Sequence, residues 1–247
     1  MLFRSRSVRG EIHIIVSEIR PVPLHLHVLQ GAELFPLLKE DKKVNAELVK
    51  ISQSYNRNFR DRNFRNTFKP VHKEMVIERL AREGLLPAIF FIFSRAGCDN
   101  AVKHCAHLNL TSESEKVIIR ERIEEVAQLI SPEDYGPLNF LGWAKALELG
   151  VAAHHAGLIP PLKEVIEELF QKGLIKVVFA TETLALGVNM PAKSVVIDRL
   201  TKWNGQAHVD ISPGEFTQLT GRAGRRGIDI EGHAVIVWSP EIGRAHV

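Results

Sequence analysis

Short apolar runs alternate along the chain with longer segments in which apolar residues return every three or four positions. Residues 88–93 are apolar without a break, the pattern of a strand covered on both faces of a sheet. Residues 11–16 and 22–29 are rich in β-branched and alternating apolar residues, and 151–153, 177–180, 194–198 and 233–238 also read as strands. Helical spacing is found over 71–84, 95–108, 111–130, 138–149 and 160–172, and a further helix is expected to run into an arginine-rich stretch near 218–227. The boundaries carry their own signals. Gly84 and Gly173 are stops, Ser94 is an N-cap, Ser and Glu open the 111–130 helix, and Pro160-Pro161 occupy a first turn. Strands alternating with helices predict an α/β protein with a parallel, doubly wound sheet and helices on both faces. Residues 31–70 are looser, charged and rich in Asn and Arg, with one short helix expected over 44–54.

Composition narrows the class. The 247 residues are 45% hydrophobic and 25% charged, the balance of a folded globular protein of one ordinary domain plus an attached segment. A formal net charge of +3 permits a polyanionic partner without requiring one. Cys98 and Cys105 are the only cysteines, with no disulfide framework and no metal-ligand spacing, so a reducing cytoplasm is expected and Cys98 is read as a small core residue. No apolar stretch is long enough to span a membrane, so no membrane partner is expected.

The candidate chemistry lies in two segments. In Gln218-Leu219-Thr220-Gly221-Arg222-Ala223-Gly224-Arg225-Arg226-Gly227, two arginines three positions apart on the expected helix would leave one face together, and glycines allow backbone and ligand to approach. Each guanidinium is a planar charged fork suited to phosphate oxygens. Spacing alone does not separate this reading from a solvated Gly/Arg-rich loop. Upstream, the run Val177 to Ala180 ends in Thr181-Glu182-Thr183 and continues to Gly187-Val188-Asn189-Met190-Pro191, which puts Thr181 and Asn189 where strands of a parallel sheet end and ligands gather. An ordinary capped turn fits the same residues. In the connection, Tyr55 to Arg65 interleaves aromatics with arginines, either as a base-stacking surface or as a solvated linker.

In this order and spacing the two segments resemble motifs V and VI of superfamily-two helicases, and more closely those of the Ski-like DExH group in its bacterial HelY-like type. Phe91 to Cys98 resembles that group's motif IV and His154-His155-Ala156-Gly157-Leu158 its motif IVa, while Arg20-Pro21-Val22-Pro23-Leu24 resembles the exit from its first motor domain. The resemblance implies the second RecA-like motor domain over 71–240, preceded by the end of the first over 6–30 and a linker over 31–70. It also implies ATP-driven movement along single-stranded RNA or DNA. Arg222 and Arg225 would reach the ATP phosphates and Gln218 would position the γ-phosphate or attacking water. Gly187, Asn189, Gly221 and Gly224 would border the nucleotide. Ser94, Arg95, Thr181, Glu182 and Thr183 would hold the strand backbone, with His154 and His155 either near that track or purely structural. Asn189 stands where related helicases often carry aspartate, which argues against direct metal coordination there.

No Gly-x-x-x-x-Gly-Lys-Ser/Thr loop and no Asp-Glu-x-His sequence occurs in the chain. ATP and Mg²⁺ are therefore expected to be held mainly by a first motor domain of the same protein, and this chain alone is expected to be inactive. A nucleic-acid-binding adaptor without catalysis is the competing expectation. Residues 1–5 and 241–247 resemble translated sequencing-adapter oligonucleotide and are left out of the fold expectation.

Overall fold

The computed structural model describes residues 20–39, 41, 43–58, 71–184 and 190–238. The expected strand at 11–16 lies outside them. Seven strands form one sheet in the order β2-β1-β9-β6-β3-β5-β4. These are β1 (Leu24–Gln30), β2 (Glu33–Pro36), β3 (Ala88–Phe91), β4 (Val151–His154), β5 (Val177–Ala180), β6 (Ser194–Ile197) and β9 (Gly232–Val237). All neighbours are parallel except the β1–β2 hairpin.

The pleat sends alternate side chains to opposite faces, and each face is roofed by helices. Ala88 and Phe90 of β3 and Val177 and Phe179 of β5 pack with α2 (Lys73–Arg82) and α3 (Arg95–Cys105) through Ile77, Leu80, Cys98 and Cys105. Their neighbours Ile89, Phe91, Val178 and Ala180 face the other way, onto α4 (Glu113–Ala127), α5 (Phe140–Glu148) and α6 (Pro160–Gln171). Phe90, Phe91, Phe170 and Phe179 are fully buried. Each such side chain contributes about 1.5–3 kcal/mol over an exposed position. This is the doubly wound RecA-like α/β fold with helices on both faces. Cys98 lies in the core, and burial, with the nearby Asp99 carboxylate, pushes its thiol up to about 12.

The helix starts follow the polar signals. Ser94 Oγ accepts the Gly97 N–H at 3.2 Å to open α3, and Ser112 and Glu115 form a reciprocal capping box before α4. The short helix expected at 44–54 is α1 (Ala46–Asn58); its Leu48 packs with Val28 and Trp238 on the sheet edge.

Three expectations are corrected. Residues 22–29 had been given to the end of a preceding domain, but β1 pairs with β9 from Leu24↔Gly232 to Leu29↔Val237. Without it β9 would be an open edge, and Leu29 completes the core cluster beneath α2. Second, residues 199–211, to which the sequence pattern assigns no element, contain a hairpin of β7 (Thr201–Trp203) and β8 (His208–Asp210). Asn204 closes it by accepting the Gln206 and Ala207 N–H groups on its Oδ1. Third, α7 (Pro213–Thr220) stops before the arginines. Gly221 follows as its cap and Gly224 adopts φ +83°, a left-handed conformation that glycine accepts without strain. Arg222 and Arg225 therefore lie on a turn and not on one helix face.

Candidate functional site: two edges of one sheet

Because the central strands are parallel, the residues after β3, β4 and β5 share one edge of the sheet. Ser94 and Arg95 are exposed there at the start of α3. Thr181, Glu182 and Thr183 follow β5; Thr181 is buried, its hydroxyl 2.9 Å from that of the exposed Thr183. A shallow cleft beside them is lined by Phe93, Glu182, Lys202, Glu215 and Gln218. Gln218 is thus brought together with Glu182 through α7, which starts at this edge. Lys202 pairs with Glu215, and that hydrogen bond, with those from Ser212, holds the Glu215 carboxyl down to about 2.

His154 and His155, at the end of β4, are both 5% exposed. The His155 Nε2 faces Asp99 Oδ1 at 2.9 Å, and its Nδ1 accepts the Gly157 N–H at 3.1 Å. Those partners assign the proton to Nε2. His154 Nε2 meets Glu167 at 2.8 Å, and burial, against the pull of Glu167, lowers its pKa. Both rings tie the strand end to a helix, His155 to α3 and His154 to α6.

The arginines occupy the opposite edge. Ala192, two residues before β6, donates its N–H to Arg222 O at 2.9 Å and accepts the Gly224 N–H at 2.7 Å. The end of the 177–192 segment is thereby stitched to the arginine turn. Arg20 donates to the carbonyls of Thr220 and Ala223. Packing is close: a Cβ on Gly224 would lie 2.6 Å from Val22 Cγ1, and one on Gly232 2.6 Å from Gly224 N. Gly187 and Asn189 lie outside the described residues.

Arg225 is held by Asp229. Its Nε reaches Oδ2 and its Nη2 reaches Oδ1, both at 2.8 Å, and its backbone N–H donates to Oδ2 at 2.8 Å. Burial pushes the Asp229 carboxyl up, but these hydrogen bonds outweigh it and hold the group below its usual range, while Arg225 is raised. Arg226 is exposed. The sequence reading missed Asp229 and the bracing role of Arg20. An acidic residue four positions after an arginine was the available signal for the first, whereas Arg20 carried none. Among the described residues no cluster of His, Cys, Asp and Glu could hold a metal ion, and no helix is long and apolar enough to cross a membrane.

This arrangement agrees with the comparisons with known proteins. Residues 100–227, just over half of the chain, match the family described as helicase conserved C-terminal domain, and the chain belongs to that family. Within it, the relatives mark the chain as a helicase C-terminal domain of the Ski-like DExH group of superfamily two. It is 46% identical over 260 residues to a "Probable helicase HelY" of Mycobacterium tuberculosis, covering 98% of this chain and 29% of that protein. Against the "DExH-box ATP-dependent RNA helicase DExH15 chloroplastic" of Arabidopsis thaliana it is 35% identical, covering 93% of this chain and 22% of the relative. Against the human "Superkiller complex protein 2" the identity is 33%, over 98% of this chain and 21% of the relative. The chain thus spans less than a third of the length of these curated relatives.

Proposed function

We propose that this chain is the second RecA-like motor domain of an ATP-driven helicase that moves along single-stranded RNA or DNA, and that it contributes arginines to an ATP site held mainly by the first motor domain of the same protein. The observation that carries this reading is the pair of hydrogen bonds between Ala192 and the arginine turn. They tie Ala192, at the end of the stretch that resembles motif V, to the turn that carries Arg222, and this contact supports reading the two stretches as one working unit.

In this reading Arg222 and Arg225 stabilise charge on the transferring phosphoryl group, and Gln218 orients the γ-phosphate or the attacking water. An arginine supplied to such a site is worth about 10³–10⁵ in rate. Gly221 and Gly224 let the turn approach the nucleotide, with Gly187 and Asn189 beside the ribose. Ser94, Arg95, Thr181, Glu182 and Thr183 hold nucleic-acid backbone, contacts that position without reading sequence and weaken with salt. The domain extends back from residue 71 to include β1 and β2, since they share its sheet. ATP with Mg²⁺ would supply the phosphoryl group and its counter-charge. The donors fit that task on this side of the cleft only, because the chain has cationic forks but no phosphate loop.

The test is direct. The purified chain should show no ATPase activity above an Arg222→Ala control, while the full-length protein should hydrolyse ATP when single-stranded RNA or DNA is added. Turnover by the isolated chain that Arg222→Ala abolishes would show that it holds a complete ATP site and would reject the proposal.

A further inference from the structure

Three polar contacts converge on one carboxylate in the arginine turn, and none of the roles above uses it. The Asp229 side chain is only 5% exposed, against 19% for Arg225. It takes the Arg225 fork along one edge, through Nε and Nη2, and the Arg225 backbone N–H as well. Guanidinium carries five N–H donors in a rigid plane. The pairing with Asp229 uses one on Nε and one on Nη2, so one hydrogen of Nη1 and the second of Nη2 lie along the outer edge, which Asp229 does not use. That edge can take two oxygens of one phosphate while the carboxylate stays bound to the other.

We propose that Asp229 is a positioning residue for phosphoryl transfer, holding Arg225 in one rotamer with its outer edge presented to the nucleotide phosphates. The proposal rests on the reading of Arg225 as a phosphate-binding arginine. The bond to the Arg225 N–H fixes the backbone and the fork-to-fork pair fixes the side chain, so the guanidinium reaches the phosphate already ordered. Orientation of this kind governs rate: a misplacement of about 1 Å can cost on the order of 10²-fold.

The experiment is a double-mutant cycle on nucleic-acid-stimulated ATPase in the full-length protein, with Arg225→Ala, Asp229→Ala and the two combined. Arg225→Ala should lower kcat by about 10³-fold or more. Asp229→Ala should lower kcat by about 10²-fold with KM for ATP little changed. In the Arg225→Ala background it should cost less than about twofold more, because the carboxylate acts through the arginine. Asp229→Asn, which keeps the shape and one acceptor oxygen, should fall between wild type and Asp229→Ala, and it serves as the second variant if the alanine form does not fold. A full additional loss in the Arg225→Ala background would make Asp229 purely structural and overturn the proposal, as would normal kcat in Asp229→Ala with Arg225→Ala inactive. Normal kcat in Arg225→Ala would instead reject the phosphate-binding reading of Arg225, and the proposal with it.

Discussion

At the ends of β3, β4 and β5 the candidate residues are continuations of buried strands, whereas the arginine turn at the beginnings of β6 and β9 is held by hydrogen bonds with Ala192, from Arg20 and to Asp229. The first edge inherits its geometry from the core: Ser94 stands wherever β3 ends, and Thr181 wherever β5 ends. The second edge depends on close backbone approach at Gly224 and Gly232 and on a few polar contacts. The two edges should therefore respond differently to substitution. Damage to the core should be felt at both, and damage to the turn should leave the first edge standing.

The largest effect is expected from Phe179→Ala. Phe179 is fully buried with its ring 5.5 Å from that of Phe90, and truncation should cost roughly 3–5 kcal/mol, read as a lower denaturation midpoint in urea with both edges losing protection together. Gly232→Ala comes next, because its Cβ would sit 2.6 Å from the Gly224 backbone nitrogen. It should cost roughly 1–3 kcal/mol and raise amide exchange across 221–229 while β3 and β5 stay protected. Equal loss of protection in β3 and β5 would erase the contrast between the edges.

Ser212→Ala removes the capping box in which Ser212 Oγ accepts the Glu215 N–H at 3.3 Å, and should cost about 1 kcal/mol in chemical denaturation. The smallest effect at neutral pH is that of the imidazole cluster on β1 and β9. His27 is held down to about 4 by burial and by the charges of His233 and His25. The unfolded chain takes up a proton near 6.5 that the folded chain refuses until about 4, so stability should fall as pH drops through that window. His27→Gln should flatten that part of a Tm-against-pH curve.

The same contrast explains what could be read from sequence. The apolar runs of β3 and β5 and the caps at Ser94 and Ser112 are local signals, and the sheet, its two helix layers and the position of Ser94, Arg95 and Thr181 followed from them. The arginine turn is not local. Arg222 and Arg225 fit a helix face by spacing, but the helix ends at Thr220, and beyond it Gly224 at φ +83° turns the chain where Val22 and Gly232 approach. Arg20 lies 203 positions from Ala223, so only the pairing of β1 with β9 brings it there. Asp229 stands four positions after Arg225, a spacing that signals a pair on a helix, but here the two meet on a turn after the helix has ended. The hairpin was missed, although Asn204-Gly205 is a common turn signal. The burial of His154 and His155 was not legible, since adjacent histidines look alike in sequence at a surface and in a core.

The central claim is that the turn completes an ATP site belonging to another domain, and the most direct measurement is the nucleic-acid-stimulated ATPase rate of the full-length protein carrying Arg222→Ala. The account predicts a fall in kcat of about 10³-fold or more, with the stability of the domain and its binding of single-stranded nucleic acid at fixed salt unchanged. A kcat within about tenfold of the wild type would contradict it, because an arginine acting on the transferring phosphate cannot be lost so cheaply.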